Sequence, residues 1–260
     1  MKVRAFGPWW CFRIGNKFDV CQYIRYFQLM NVAVADISLN RPLSGGFYTA
    51  SEASRILGLS GPSIVKSWLG QGKSVPTLVK QYSEAPDVGF WDLMEIRFIN
   101  YFRNKGISLQ HLRKVAYRSR MRFENNHPFA LSAVKFKTDR KKIFAEISSE
   151  ENDKQLEDML TGQLSLYEVV EDFLAKGIEF DPSSGLAKSW KPLPQSLPRI
   201  ILDPKIAHGQ PSVEVAGVPT KTLFLNCKAE SFNYSATADW FEVKEELVRE
   251  AVEYELGLDA

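Results

Sequence analysis

The stretch "GFYTASEASRILGLSGPSIVKSWLGQGK", Gly46 to Lys73, holds two short apolar periodicities separated by Gly58-Leu59-Ser60-Gly61. Thr49 is placed to cap a helix from Ala50, and Glu52, three residues on, completes a capping box. Ala53, Ile56 and Leu57 form one apolar face, and Gly58 suits the left-handed residue that ends a helix. Ser60 is expected to cap a second helix with Pro62 in its first turn, where a missing N–H costs nothing. Ile64, Val65, Trp68 and Leu69 bury one side of that helix, leaving Ser63, Lys66, Ser67 and Gln71 toward solvent. Two short helices around a glycine-containing turn match a helix-turn-helix, whose second helix would enter the major groove. In that reading Lys66, Lys73 and Lys80 meet phosphates, while Ser63, Ser67 and Gln71 face base edges.

The chain continues through "KSVPTLVKQYSEAPDVGFWDL", a short hairpin or wing anchored by Val75, Leu78 and Val79. Asp92 is expected to cap a helix whose core stripe is Leu93, Ile96, Phe98, Ile99 and Phe102. Gly106 ends it, and Ser108 caps a further helix with a basic side of Arg113, Lys114, Arg118, Arg120 and Arg122. His111 has no neighbouring Cys or paired His and reads as structural.

At 260 residues, 45% apolar and 25% charged, the chain has the composition of a soluble protein with room for two or three domains, and no run of eighteen apolar residues suggests a membrane span. Cys11, Cys21 and Cys227 fit neither a disulfide framework nor a zinc cluster, so a cytoplasmic location is expected. Residues 1–29 lack the pattern of a signal peptide. Two readings of them stay open: an extension before a true start at Met30, or a short basic, aromatic arm within residues 1–45. Net charge is +2, unevenly spread. Residues 47–122 hold twelve Lys and Arg against five acids, whereas residues 123–260 hold fifteen against twenty-four. Such a chain can turn its front to a polyanion and its rear to a basic protein.

The order from Tyr48 to Arg122, with "YTASEASRILGLSGPSIVKSWL", a wing, and "DLMEIRFINYFRNKGISLQHLRKVA", resembles the winged DNA-binding domain of MerR-type regulators. The resemblance implies a MerR-like winged helix-turn-helix over residues 46–122. It does not extend to metal sensing, because the long dimerisation coiled coil and the cysteine pair are missing.

Residues 123–194 form a middle segment. Within it "FALSAVKFKTDRKKIFAEIS" alternates as a hairpin. The amphipathic helices that follow carry Asp158, Glu168, Glu171 and Asp172 on a wet face, and "DPSSGLAKSWKPLPQSLP" reads as a turn and linker with Trp190 as an apolar anchor. Residues 195–260 read as a small acidic helical domain entered by short strands at "RIIL" and at Val213 to Val218. Its helices lie around "KTLFLNCKA", Ala236 to Phe241 and "EELVREAVEYE". The fold class is therefore α+β, mainly helical with short β-hairpins.

This last region resembles a small family of uncharacterised domains through Ile201, Asp203-Pro204, Gly209-Gln210-Pro211, Val213, Gly217, Val218-Pro219-Thr220, Val248, Ala251 and Tyr254. A MerR-like front joined to such a domain resembles a variant class of VapB-type antitoxin. That implies a PIN-like ribonuclease toxin as partner, operator DNA as second ligand and a homodimer or larger toxin–antitoxin assembly. Asp203, Gly209, Gln210 and Pro211 carry over as fold or interface residues. The alternative is a stand-alone MerR-like transcriptional regulator. An enzyme is disfavoured: His127 and His208 sit far apart, and neither a nucleophile with an adjacent base nor a phosphate-cradling glycine loop is visible. No cofactor, catalytic residue or metal ligand is expected.

Overall fold

The computed structural model describes residues 45–71, 76–82, 87–132 and 176–259. The expected arm, the hairpin strands over 133–147, the helices over 156–175 and Lys73 lie outside the described residues. Strand β1 (Phe47–Tyr48) leads into α1 (Ala50–Ile56) and α2 (Pro62–Trp68), and β2 (Val88–Gly89) returns antiparallel to β1 before α3 (Phe90–Asn104) and α4 (Leu109–Phe123). A hairpin of β3 (Ile178–Phe180) and β4 (Ala187–Trp190) follows. An antiparallel sheet of β5 (Ile200–Ile201), β6 (Ser212–Val213) and β7 (Val218–Pro219) then precedes α5 (Thr220–Ala229), α6 (Tyr234–Phe241) and α7 (Glu245–Leu258). The architecture is α+β: helices with small antiparallel sheets.

Local chemistry explains most boundaries. Thr49 and Glu52 form the reciprocal capping box, with the Thr49 N–H donating to Glu52 at 2.8 Å and the Glu52 N–H donating to Thr49 Oγ1 at 3.1 Å. Gly58 follows α1 at φ 61°, where a side chain would be strained. Ser108 caps α4 by accepting from the His111 N–H. Two expected caps move. The α2 cap is Gly61, one residue after Ser60, and it offers no side chain, so Pro62 supplies the start by its fixed φ. The third helix begins at Phe90, two residues before Asp92, whose carboxylate reaches back to the Gly89 N–H at 2.8 Å.

Helices of seven residues are marginal alone, so α1 and α2 depend on packing. The first core supplies it. Ala53, Val65, Trp68 and Leu69 close on Leu93, Ile96, Phe98, Ile99 and Phe102 of α3, with Leu112 and Val115 of α4 behind. Each buried Leu, Ile or Phe contributes about 1.5–3 kcal/mol, which outweighs the few tenths separating helix propensities. Phe98 also stacks on Phe129 with ring centroids 3.8 Å apart and the rings nearly parallel. A second core gathers Leu223 and Cys227 of α5, Ala238 of α6, and Val248, Ala251 and Val252 of α7 under Ile200 and Val213.

Within the expected turn and linker of residues 181–198, Ala187–Trp190 is a strand instead. The Asp181 carboxylate takes the Ser183 and Ser184 N–H groups in a tight turn, which makes the "DPSSG" run a hairpin tip. The strand after it is fixed to the first core: Trp190 exchanges both backbone hydrogen bonds with Leu202 and lies buried with Ala187, and Arg97 sits over its ring at 5.1 Å.

Candidate nucleic-acid interface

The second helix of the α1–α2 pair presents the polar face expected of it. Ser63 and Lys66 are exposed, and Ser67 and Gln71 are partly exposed, while Val65, Trp68 and Leu69 are buried. The pair is closed by its own turn: Leu59 N–H donates to Ser54 O, and the Ser54 hydroxyl returns to Leu59 O. Asn100 of α3 donates to Leu57 O at 3.3 Å. Lys80 reaches the same neighbourhood through the backbone, because the Thr77 and Leu78 N–H groups both donate to Trp68 O, at 2.8 and 3.0 Å. The structure therefore joins the segment carrying Lys80 to the end of α2. On α4, Lys114 and Arg122 are exposed and Arg118 partly so. Residues 76–82 contain no strand, and β2 pairs with β1, so the expected hairpin is not found among the described residues of this stretch.

Behind this face lies a polar cluster that the sequence reading missed. Asp92 and Glu95 of α3 are fully buried, and His127 is nearly so. Asp92 accepts the Gln81 N–H with one oxygen and the Gly89 N–H with the other. Glu95 accepts the Phe129 N–H at 3.1 Å. His127 Nδ1 stands 3.7 Å from Glu95 and 3.9 Å from Asp92, too far for a direct hydrogen bond. Burial pushes the Asp92 carboxyl up to about 6, against the pull of the Gly89 hydrogen bond and His127, and burial raises Glu95 as well, against His127, the Phe129 N–H and Arg120. The cluster ties the Lys80 segment, the start of α3 and the 127–129 turn together. Its signal was available: two acids three residues apart inside an otherwise apolar helical stripe.

A pH dependence follows. Because both carboxyls are raised in the folded state, folding takes up protons, for Asp92 between about pH 4 and 6. The stability linked to them is full below the unfolded carboxylate range and is lost as pH rises through the folded values. For Asp92 the loss amounts to about 3 kcal/mol, from a shift to about 6 at 1.36 kcal/mol per unit. Glu95→Gln keeps the acceptor for Phe129 and turns a donor toward His127 without a charge. It is expected to raise the thermal midpoint at pH 7.5 by about 3 °C and to shallow its fall with rising pH. A lower midpoint for the variant at pH 7.5 would contradict this account.

The motif residues of the C-terminal region meet α1 and β1. Gly209, at φ 84°, offers its carbonyl to the buried Tyr48 hydroxyl at 2.6 Å. Asp203 holds a tight turn by accepting the Lys205 N–H. Gln210 is partly exposed and lines the same hollow as Glu52. The buried Pro211 accepts the Thr220 N–H at 2.8 Å, and the Thr220 hydroxyl lies between Pro211 O and the Glu255 carboxylate. Arg55 of α1 completes the seam: it donates to Glu255 and to Asp259, each at 2.7 Å. Nothing in the sequence spacing signalled these long-range pairs.

In class the chain is an α+β protein whose front helices and C-terminal three-helix region are bonded at one seam. It matches no family model and no curated protein by sequence. Among solved structures it is similar to the crystal structure of Rv2018 from Mycobacterium tuberculosis, at 22% identity and a TM-score of 0.61, over 82% of this chain and 98% of that one. That likeness is one of fold. Among the described residues no helix is long and apolar enough to cross a membrane, and no group of three or more His, Cys, Asp or Glu is arranged to hold a metal ion.

Proposed function

We propose that this chain is an antitoxin of a type II toxin–antitoxin pair, resembling the VapB type with a MerR-like winged helix-turn-helix front. In this role it binds operator DNA to repress its own operon and binds and inhibits a PIN-like ribonuclease toxin. The observation that carries the reading is the separation of charge within one folded unit. The front offers an exposed polar and basic helix face, Ser63 and Lys66 on α2, and Lys114 and Arg122 are exposed on α4. From Glu230 to Asp259 the C-terminal region carries nine acids against Lys244 and Arg249. A polyanion is drawn to the first and repelled by the second, so one ligand does not suit both ends.

Co-expression with the product of the adjacent gene tests this. A co-purified small protein whose RNA cleavage is suppressed by the chain supports the antitoxin. Recovery of the chain alone, shifting a fragment of its own promoter, supports the stand-alone MerR-like regulator. For the DNA half of the role, Lys66→Ala is expected to weaken promoter binding by about 3- to 10-fold. The slope of log K against log salt should shrink by about 0.9, the signature of one lost phosphate contact. Lys66 is exposed, so folding should be untouched; an unchanged affinity and salt slope would remove α2 from the interface.

A further inference from the structure

We infer that the outer surface of the α6–α7 pair, centred on Trp240, is the docking site for a cationic protein surface, and that under the proposed function this is where the toxin seats. Trp240 is 77% exposed at the end of α6, an unusual display for the largest apolar side chain. Its surroundings are acidic. Asp239 and Glu242 flank it in the chain, and on the same helix pair, farther along α7, Glu253 is also exposed. None of these three has an ion-pair partner among the described residues, while neighbouring cations are engaged. Arg249 pairs with Glu245 and lies over the Tyr234 ring at 4.2 Å, and Arg199 pairs with Glu246 and Glu250. Lys244, at the α7 cap, is the local exception.

The backbone holds this surface in place. Glu242 adopts φ 53° in the three-residue turn between α6 and α7, an unfavourable region for a non-glycine residue, and caps the end of α6 that carries Trp240. The second core fixes both helices from beneath through Ala238, Leu247, Val248, Ala251 and Val252. A rigid aromatic anchor with a charged rim is the usual composition of a protein–protein hot spot. Two helices joined by a short turn could suggest a second DNA reader, but α7 opens with Glu245 and Glu246 and would repel phosphate. A protein that handles RNA carries a basic surface, and the charge here complements it.

This inference rests on the antitoxin reading, and one experiment separates their failures. The full chain, Trp240→Ala and Glu253→Lys are titrated calorimetrically with the product of the adjacent gene, and the mass of each chain alone is measured. The native chain is expected to bind. Trp240→Ala should weaken binding by about 30-fold or more, as loss of a central aromatic anchor does, and Glu253→Lys should weaken it less, in a manner that fades with added salt. Both positions are exposed, so thermal midpoints should stay within a degree or two. Native-like binding by both variants would overturn the surface and leave the antitoxin reading standing. No binding by the native chain would overturn both. A native chain whose self-association is abolished by Trp240→Ala, with partner binding unchanged, would assign the surface to a second copy instead.

Discussion

Gly209→Ala is expected to lower the thermal midpoint by about 6–12 °C, corresponding to roughly 3 kcal/mol for a unit of this size. A methyl group at this position would stand 2.7 Å from the Tyr48 hydroxyl and 2.9 Å from Gly46 Cα, closer than carbon atoms tolerate. The backbone also sits at φ 84°, where a side chain adds strain of about 1–2 kcal/mol. Relief would require β1 and the Gly209 turn to part, breaking the Tyr48–Gly209 hydrogen bond. Tyr48→Phe separates the contributions. It should cost about 1–3 kcal/mol by leaving the buried Gly209 carbonyl unpaired. Gly209→Ala made in that background should cost less than in the native chain, because the hydroxyl clash is gone while the Gly46 contact remains. A midpoint unchanged by Gly209→Ala would mean that the close approach described here does not exist in solution.

The second large effect is at Arg55. Arg55→Ala is expected to destabilise by about 2–3 kcal/mol, because Glu255 is 2% exposed and would keep only the Thr220 hydroxyl as partner. Solvent reaches about a third of the Arg55 side chain, 32%, which holds the expected cost below the range for fully buried pairs. The Glu255 carbonyl loses a donor as well. Glu255→Gln removes the charge that needs compensation, so Arg55→Ala in that background should cost under about 1 kcal/mol. Equal costs of Arg55→Ala in the two backgrounds, measured by denaturant unfolding, would show that the ion pair carries none of the effect.

Legibility in the sequence followed the range of the interaction. The Thr49–Glu52 box, Pro62 at the start of α2, the Ser108 cap and the five-residue stripe of α3 are short-range signals, and the structure places them as read apart from shifts of one and three residues at two caps. Three short helices near the C-terminus were legible for the same reason. The β3–β4 hairpin was not. Its strands are three and four residues long, and Pro192 and Pro194 give the stretch a linker's composition. Only Leu202 and Arg97, distant in sequence, explain why Trp190 is buried there. On the candidate site, the exposure of Ser63 and Lys66 could be read from helical spacing. Of the Asp92–Glu95–His127 cluster only the two acids, three residues apart in an apolar stripe, were a legible signal; His127, in a loop 32 residues beyond Glu95, was not.

A rod pinned at one point swings about it; a rod pinned at two keeps its bearing. Helix α1 is held just before its start by the Tyr48–Gly209 hydrogen bond, and near its end by the Arg55 bonds to Glu255 and Asp259. Both pins belong to the C-terminal region, while α2 is packed directly on α1. The heading of the face that bears Ser63 and Lys66 is thus set from the far end of the chain, and a shift of α7 along its own axis would turn that face by pulling on one pin more than the other.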